Sequence, residues 1–327
     1  MRAPEFWSRN DLFARALSAA LTPAGRMYGA TVAWKRDHAT TYRARAKVIC
    51  IGNLTAGGSG KTPVAIAVAR SLLARNKRAA FLTRGYGGRI AGPLLVDPIT
   101  HTSADVGDEP LLLAEVAPTI VARDRKAGAI LADAMGVDVI VMDDGHQNFS
   151  LRKNLSIIVV DGETGFGNGR VLPAGPLREP AAQGLARADA VVVLGGGSPE
   201  LTGFVGPLLR GMISPARALT GSRRVVAFAG IGRPEKFFAT LFSLGAEIIA
   251  AHAYGDHHGY THDEIAQLKR EAVAQNAVLL TTEKDFVRLP AKERPGIEAM
   301  PVQAIFDAPD DLERLLDRII PLAQVEP

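Results

Sequence analysis

Cysteine is nearly absent. The one cysteine in 327 residues, Cys50, excludes a disulfide within the chain and fits a reducing compartment. It lies inside an apolar run, Lys47-Val48-Ile49-Cys50-Ile51, where it reads as a small core residue rather than a nucleophile. No run of about 18 apolar residues occurs, so no membrane-spanning helix is expected. The N-terminus lacks a continuous apolar stretch before a small-residue cleavage site and does not read as a signal peptide. Zinc-ligand spacing, an RNP-like aromatic motif and long Lys/Arg blocks are missing, so no nucleic-acid partner is expected. Internal repeats and low-complexity tracts are absent, and no oligomer is predicted.

What is present is enough apolar content, 47%, to fill two cores over a length that exceeds one ordinary domain. The net charge of +4 suits an acidic partner without naming one. The stretch from Ile51 to Thr62, Ile-Gly-Asn-Leu-Thr-Ala-Gly-Gly-Ser-Gly-Lys-Thr, organises the rest. A β-branched strand precedes it and an apolar-periodic helix follows, which is the context of a phosphate-binding loop. In that reading residues Thr55, Ala56, Gly57, Gly58, Ser59 and Gly60 turn backbone N–H groups toward an anion. Lys61 reaches the β- and γ-phosphates, and the Thr62 hydroxyl holds Mg²⁺. The usual pattern opens with Gly, where this chain has Thr55. No Gly-x-Gly-x-x-Gly is completed here or at Gly230-Ile231-Gly232, which argues against a dinucleotide fold.

Periodicity predicts strands at 47–52, 79–84, 119–122, 138–143, 156–161 and 189–194, with helices at 63–75, 109–117, 124–135 and 180–187. That alternation implies a doubly wound, mostly parallel α/β sheet with active groups at the carboxyl ends of its strands. After Gly195-Gly196-Gly197-Ser198-Pro199, residues 200–222 read as an aperiodic connector. A smaller α/β lobe follows: strands at 224–228, 246–251, 277–281 and near 301–306, and helices at 234–243 and 261–275. Residues 4–21 read as a basic amphipathic helix ended by Pro23 and Gly25. Such a helix either packs on the core or lies on an anionic membrane surface.

Several polar groups fall at predicted strand ends. Asp143 and Asp144 end the run Val139-Ile140-Val141-Met142, where a phosphate-loop fold places Mg²⁺-linked acids. Asp108 and Glu109 open a helix, either as cap and first-turn acid or as a general base and metal-linked pair. Arg84 and Tyr86, in Thr83-Arg84-Gly85-Tyr86-Gly87-Gly88, and Arg123 and Arg125 belong to the same rim. Arg178 and Glu179 are bracketed by prolines in a glycine-rich loop, 165–180, that could close over a nucleotide. Asp256-His257-His258 reads as a metal site or as a catalytic histidine reaching across from the second lobe.

Together these stretches, with Gly52-Asn53-Leu54-Thr55, Gln147, Leu172-Pro173-Ala174-Gly175-Pro176-Leu177 and Thr282-Glu283-Lys284-Asp285, resemble the tetraacyldisaccharide 4′-kinase family of lipid A synthesis. The resemblance runs in order from the N-terminus to about residue 290, and Thr55 matches the family's own form. It implies an ATP- and Mg²⁺-dependent lipid kinase acting on the 4′-hydroxyl of a tetraacylated glucosamine disaccharide 1-phosphate. It also implies a peripheral position on the cytoplasmic face of the inner membrane, held by an N-terminal helix on the anionic surface. It divides the chain into a membrane-associating segment 1–36, a P-loop kinase domain 37–205, a connector 206–222 and a smaller lobe 223–327. Asp108 and His257 match a catalytic dyad, acting with Lys61. Thr55 to Thr62, Arg178 and Glu179 match the nucleotide site and its mobile lid. Thr62, Asp143, Asp144 and Glu109 match metal-linked positions, and Arg84, Tyr86, Arg125 and Gln147 the substrate rim. The chain departs at Asn148, where the family often has His, and carries His146 instead. The competing reading is a regulatory P-loop NTPase of partition or metal-chaperone type, whose loops often carry Lys where Ala56 stands.

Overall fold

The computed structural model describes residues 4–9, 11–217 and 223–321. The chain opens with α1 (Leu12–Asp37) and then alternates. β1 (Lys47–Gly52), α2 (Lys61–Ala74), β2 (Ala79–Thr83), β3 (Leu94–Leu95), α3 (Ser103–Val106) and α4 (Asp108–Ala114) come first. β4 (Thr119–Val121), α5 (Arg125–Ala134), β5 (Val139–Asp143), β6 (Leu155–Asp161), α6 (Ala181–Leu185), β7 (Ala190–Leu194) and β8 (Leu208–Pro215) complete the first half. The second lobe contributes β9 (Arg224–Ala229), α7 (Pro234–Ser243), β10 (Glu247–Ala253), α8 (His262–Ala274), β11 (Val278–Thr282), α9 (Glu283–Arg288) and β12 (Ile297–Met300). The described chain closes with β13 (Val302–Phe306) and α10 (Pro309–Asp317).

The large sheet has nine strands in the order β13-β8-β7-β6-β1-β5-β2-β4-β3. From β8 to β4 every pairing is parallel. Its central strands are continuous Val/Ile/Leu runs because helices cover both faces. β1 lies between β5 and β6 and feeds α2 on one side, while the chain returns across β1 from β5 to β6. This is the crevice where open α/β sheets bind ligands. The smaller sheet, β10-β9-β11-β12, is parallel throughout and has its own core around Val226, Phe228, Ile265 and Leu279.

Three expectations need correction. The N-terminal helix does not stop at Pro23 and Gly25; after a 3₁₀ turn at Glu5–Trp7, α1 runs through both to Asp37. The cost of the proline's missing N–H is offset by packing. Ser18, Gly25 and Gly29 are buried on one face, against the loop at 167–180, and Asn168 and Arg170 donate to Ser18 and Thr22 hydroxyls. The 200–222 connector contains β8, whose residues alternate too weakly to announce a strand but extend the main sheet. Finally, the strand near 301–306 forms as β13, but it pairs antiparallel with β8 rather than joining the second lobe. Phe306, Leu312, Leu315 and Leu316 then enter the first core, and Arg75 of the α2 C-cap binds Glu313 and Asp317 of α10. The second lobe is therefore an insertion whose chain leaves and re-enters the large sheet at its β8 edge.

Candidate active site

β1 is buried after its first residue, so Gly52 delivers the chain to the sheet's carboxyl rim at a fixed point. The loop that follows is held from inside by Asn53, whose amide donates to the Thr55 carbonyl at 2.8 Å. It is held from outside by the glycine-rich loop: Ala56 N–H donates to Pro176 O at 2.7 Å, and Arg178 N–H to Leu54 O at 2.7 Å. The two loops thus pair like short antiparallel strands through Thr55 and Leu177. Gly60 caps α2 at φ +84°, a left-handed conformation that favours glycine, and a Cβ there would press on Leu194 Cδ1 at 2.5 Å. Lys61 and Thr62 then occupy the first turn of α2, beside the helix's positive end.

Asp143 lies opposite Ile51 in the β1–β5 register. Its Oδ2 accepts a 3.4 Å contact from Thr62 Oγ1, while its Oδ1 is buried with no partner. Burial, and then the charge of Glu109, push the Asp143 carboxyl well above its ordinary range. Asp144 adopts φ +53°, and its N–H bonds Ile51 O at 2.9 Å. This sparsely populated conformation aims its carboxylate at Arg178, 2.9 Å away, and Lys61, 3.6 Å away. Burial pushes Asp144 up, but those two cations outweigh it and hold the group below its ordinary value. Among the described residues, the buried side-chain atoms without a partner are Asn53 Oδ1, Ser59 Oγ, Arg125 Nε and Asp143 Oδ1. All four belong to the loop or its rim. Buried polar groups are almost always paired, with protein or with ordered water, so this concentration marks a place where polar partners from outside the chain are called for.

Across the cleft, Asp108 is the first residue of α4, only 4% exposed. Gly107 enters the helix at φ +92°, where a Cβ would lie 2.3 Å from Tyr86 O. The Asp108 Oδ2 lies 3.3 Å from Nδ1 of His257, and the His257 ring lies 5.8 Å from that of Tyr86, centroid to centroid. His257 is itself strained, at φ +58°, and held there by its N–H bond to Gly230 O at 3.0 Å. The first and second lobes therefore meet at the pair suggested by sequence. Burial raises the Asp108 carboxyl, but the His257 hydrogen bond and the charges of Arg288 and Lys284 prevail, holding it well below the carboxylate range.

The other candidates divide. Arg84 and Tyr86 are exposed on the rim. Arg125 is buried; its Nη1 donates to Ala122 O, and desolvation lowers its guanidinium to about 10. Gln147 and Glu179 engage the protein itself. The Gln147 amide donates to Asn53 O at 3.0 Å and to Glu179 Oε1 at 2.9 Å, and Arg187 binds both Glu179 oxygens. Glu179 is thus the buried root of the loop, and only Arg178 reaches the site. Glu109, grouped above with the metal-linked acids, is paired with Lys284 at 2.8 Å. His146 is a core histidine: both ring nitrogens are engaged, by Ser156 Oγ and Gly184 O, and burial lowers its pKa to about 3. His258 pairs with Glu264 at 3.1 Å. Among the described residues no group of three His, Cys, Asp or Glu side chains could hold a metal ion. Arg288, which binds Asp108 through Nε at 3.1 Å, was missed from sequence. The available signal was its place three residues after Asp285, on one helix face following a strand of the second lobe.

The His257 hydrogen bond to Asp108 raises the histidine's pKa above 6.5, with Asp256 adding to the effect and burial and Arg288 opposing it. A raised folded-state value means the pairing contributes fully below the unfolded pKa and is lost as pH rises through the folded one. The Tm deficit of His257→Gln relative to the parent is therefore expected to be larger at about pH 5.5 than at about pH 8.5. Equal deficits at the two values would show that His257 does not hold the lobes through its charge.

A loop that offers amides and one lysine to an anion, beside a buried strand-end carboxylate and opposite a second carboxylate on a facing lobe, is the working end of a P-loop phosphotransferase. The family model described as Tetraacyldisaccharide-1-P 4′-kinase matches residues 17–321, and the chain belongs to this family. The tetraacyldisaccharide 4′-kinases of Rhodospirillum rubrum and Paramagnetospirillum magneticum are 48% and 52% identical to it over 329 and 325 residues. Those alignments cover 98% of this chain in each case, and 98% and 99% of the two relatives. Among solved structures, LpxK from Aquifex aeolicus in complex with ATP superposes with a TM-score of 0.75 at 27% identity, covering 93% of this chain and 99% of that one.

Proposed function

We propose that this protein transfers the γ-phosphoryl group of ATP to the 4′-hydroxyl of a tetraacylated glucosamine disaccharide 1-phosphate, giving the 4′-phosphorylated lipid A precursor. The family match across residues 17–321 carries this reading. Phosphoryl transfer asks for positioning and charge neutralisation rather than covalent catalysis. The loop amides and Lys61 hold the triphosphate, and Arg178 closes from the paired loop over the same oxygens. The Asp108 carboxylate, kept ionised by its cationic neighbours, accepts the hydrogen of the sugar hydroxyl and orients its oxygen for attack. Arg84 and Tyr86 line the side from which an anionic disaccharide enters, and the buried Arg125 adds positive charge to that rim.

The donor set fits Mg²⁺. Thr62 Oγ1 and the orphaned, buried Asp143 Oδ1 are hard oxygen ligands, with Asp144 beside them. Mg²⁺ commonly keeps several waters, so one carboxylate and one hydroxyl suffice. When bound, the ion neutralises charge on the phosphate oxygens. Incubation of the purified protein with ATP, Mg²⁺ and tetraacyldisaccharide 1-phosphate tests the proposal. Acceptor-dependent transfer of phosphate to the lipid is expected; ATP turnover indifferent to the lipid would favour a regulatory NTPase.

The acceptor's acyl chains call for access to a bilayer, and α1 supplies it. No described helix is long and apolar enough to cross a membrane. Leu12, Phe13, Met27 and Trp34 are exposed by 61–85% on the face of α1 opposite Ser18, Gly25 and Gly29. The exposed Arg15, Arg26 and Lys35 flank them. Such a helix lies in the interface of an anionic leaflet, here the cytoplasmic face of the inner membrane. Burying a large apolar side chain contributes about 1.5–3 kcal/mol. Replacing Phe13 and Met27 together by Glu is therefore expected to weaken binding to phosphatidylglycerol vesicles by at least about tenfold in a sedimentation assay. Unchanged binding would place the membrane contact elsewhere.

A further inference from the structure

The second lobe brings more than His257 to Asp108. Arg288, the last residue of α9, has a side chain only 6% exposed. One edge of its guanidinium stays within its own lobe, where Nη1 donates to Gly230 O at 2.6 Å and to Asp285 Oδ1 at 2.9 Å. Asp285 is fully buried and is fixed by three further donors: Gly230 N–H, the Tyr260 hydroxyl and the Thr282 hydroxyl. The other edge crosses to the first lobe, where Nε and Nη2 both donate to Asp108 Oδ2. Gly230 O accepts from Arg288 and from the backbone N–H of His257 at once, so a single carbonyl anchors both of Asp108's partners.

We infer that Arg288 is a positioning residue of the phosphotransfer site: it fixes Asp108 by engaging one carboxylate oxygen, so that the other faces the acceptor hydroxyl. This rests on the kinase reading above and deepens it. The division of labour between the two oxygens is visible. Oδ2 is taken by Arg288 and His257, while among the described residues Oδ1 accepts only the N–H of the next residue, Glu109, at 3.1 Å. A buried carboxylate without a cation would be costly and free to turn. The planar fork of an arginine suits two-sided contact in a way that the point charge of a lysine does not. Four residues earlier on the same helix, Lys284 pairs with Glu109 at 2.8 Å. It also docks α9 on α4, but without touching Asp108, so it separates docking of the lobes from orientation of the carboxylate.

The test is steady-state kinetics of Arg288→Met, Arg288→Lys and Lys284→Met in the full-length protein, with ATP, Mg²⁺ and tetraacyldisaccharide 1-phosphate. ATP binding and thermal unfolding are measured alongside. Arg288→Met is expected to lose about a hundredfold in kcat with KM for ATP changed less than about threefold, because the lost interaction matters in the transition state rather than in nucleotide binding. Arg288→Lys keeps one contact to Asp108 and should recover about a tenth of the parent kcat. Lys284→Met should lose clearly less kcat than Arg288→Met. If Arg288→Met proves unstable, Arg288→Lys decides alone, since kcat within about twofold of the parent would mean that spanning the lobes is unimportant. A loss carried by KM, or one matched by Lys284→Met, would also overturn the assignment. Absence of lipid phosphorylation by the parent protein would instead sink the kinase reading itself.

Discussion

Lys61→Ala is expected to reduce kcat at least about a hundredfold while the protein stays folded. Lys61 is the first residue of α2, behind the glycine cap that aims the loop amides, and its side chain is 10% exposed. Its ammonium lies 3.6 Å from Asp144, which also binds Arg178 at 2.9 Å. Removing it therefore leaves Asp144 with its arginine partner, and alanine is the best helix former available for the vacated position. The core contacts of α2 come from Val64, Ala65, Val68, Ala69 and Leu72, all untouched. What is lost is a preorganised charge at the phosphoryl oxygens, the kind of electrostatic stabiliser whose deletion costs about 2.7–4 kcal/mol of barrier. Single-turnover transfer from ATP to the acylated disaccharide, with a thermal melt as the folding control, measures the effect. Near-parental turnover in a folded variant would remove the phosphate-loop assignment.

The elements that sequence disclosed best are those with unbroken periodicity. Val139-Ile140-Val141-Met142 and Ala190-Val191-Val192-Val193 can only be buried parallel strands, and the glycine loop between strand and helix fixes where the ligand rim lies. Asp108 and His257 were legible as candidates, and the lobes do bring them together. The failures have definite physical causes. Pro23 and Gly25 normally end helices, yet α1 continues because its small residues seat it against the 167–180 loop, an interaction between distant segments. β8 carries Arg210, Gly211 and Ser214 and pairs on an edge that only β13 completes, so neither strand's partner could be read locally. Glu179 reads from sequence as a partner of Arg178 in the lid and Gln147 as a substrate contact; the structure adds that Arg187, eight residues beyond Glu179, binds its carboxylate and that the Gln147 amide donates to it, contacts between separate loops that no local pattern announces. Arg288 was invisible for the converse reason: an arginine near a helix end is ordinary, and only the docking of α9 on α4 gives it a carboxylate to hold.

Asp108→Ala and His257→Ala are each expected to lower kcat by about 10² to 10⁴, and the double variant by little more than either alone. A sugar hydroxyl is a weak nucleophile, so a carboxylate that accepts its hydrogen at the moment of transfer contributes directly. Asp108 is placed for that task by α4, but its direction depends on groups from the other lobe, since His257 Nδ1 and Arg288 both converge on Oδ2. The hydrogen bond with His257 and the charges of Arg288 and Lys284 keep Asp108 ionised at neutral pH, which favours orientation and acceptance of a hydrogen bond over strong basicity. His257 therefore works through Asp108: without the carboxylate its ring has nothing to orient, and without the ring the carboxylate loses one of its two side-chain partners. Groups that act as one unit lose most of their effect on the first deletion. The measurement is kcat for both single variants and the double variant at saturating ATP and lipid, with melting curves to confirm folding. Multiplicative losses would mean that the two residues act independently, in which case His257 would contact the acceptor itself. Full activity of Asp108→Ala would leave the carboxylate as a helix-terminal group that merely docks the second lobe, and the hydrogen acceptor would have to be sought elsewhere on the rim.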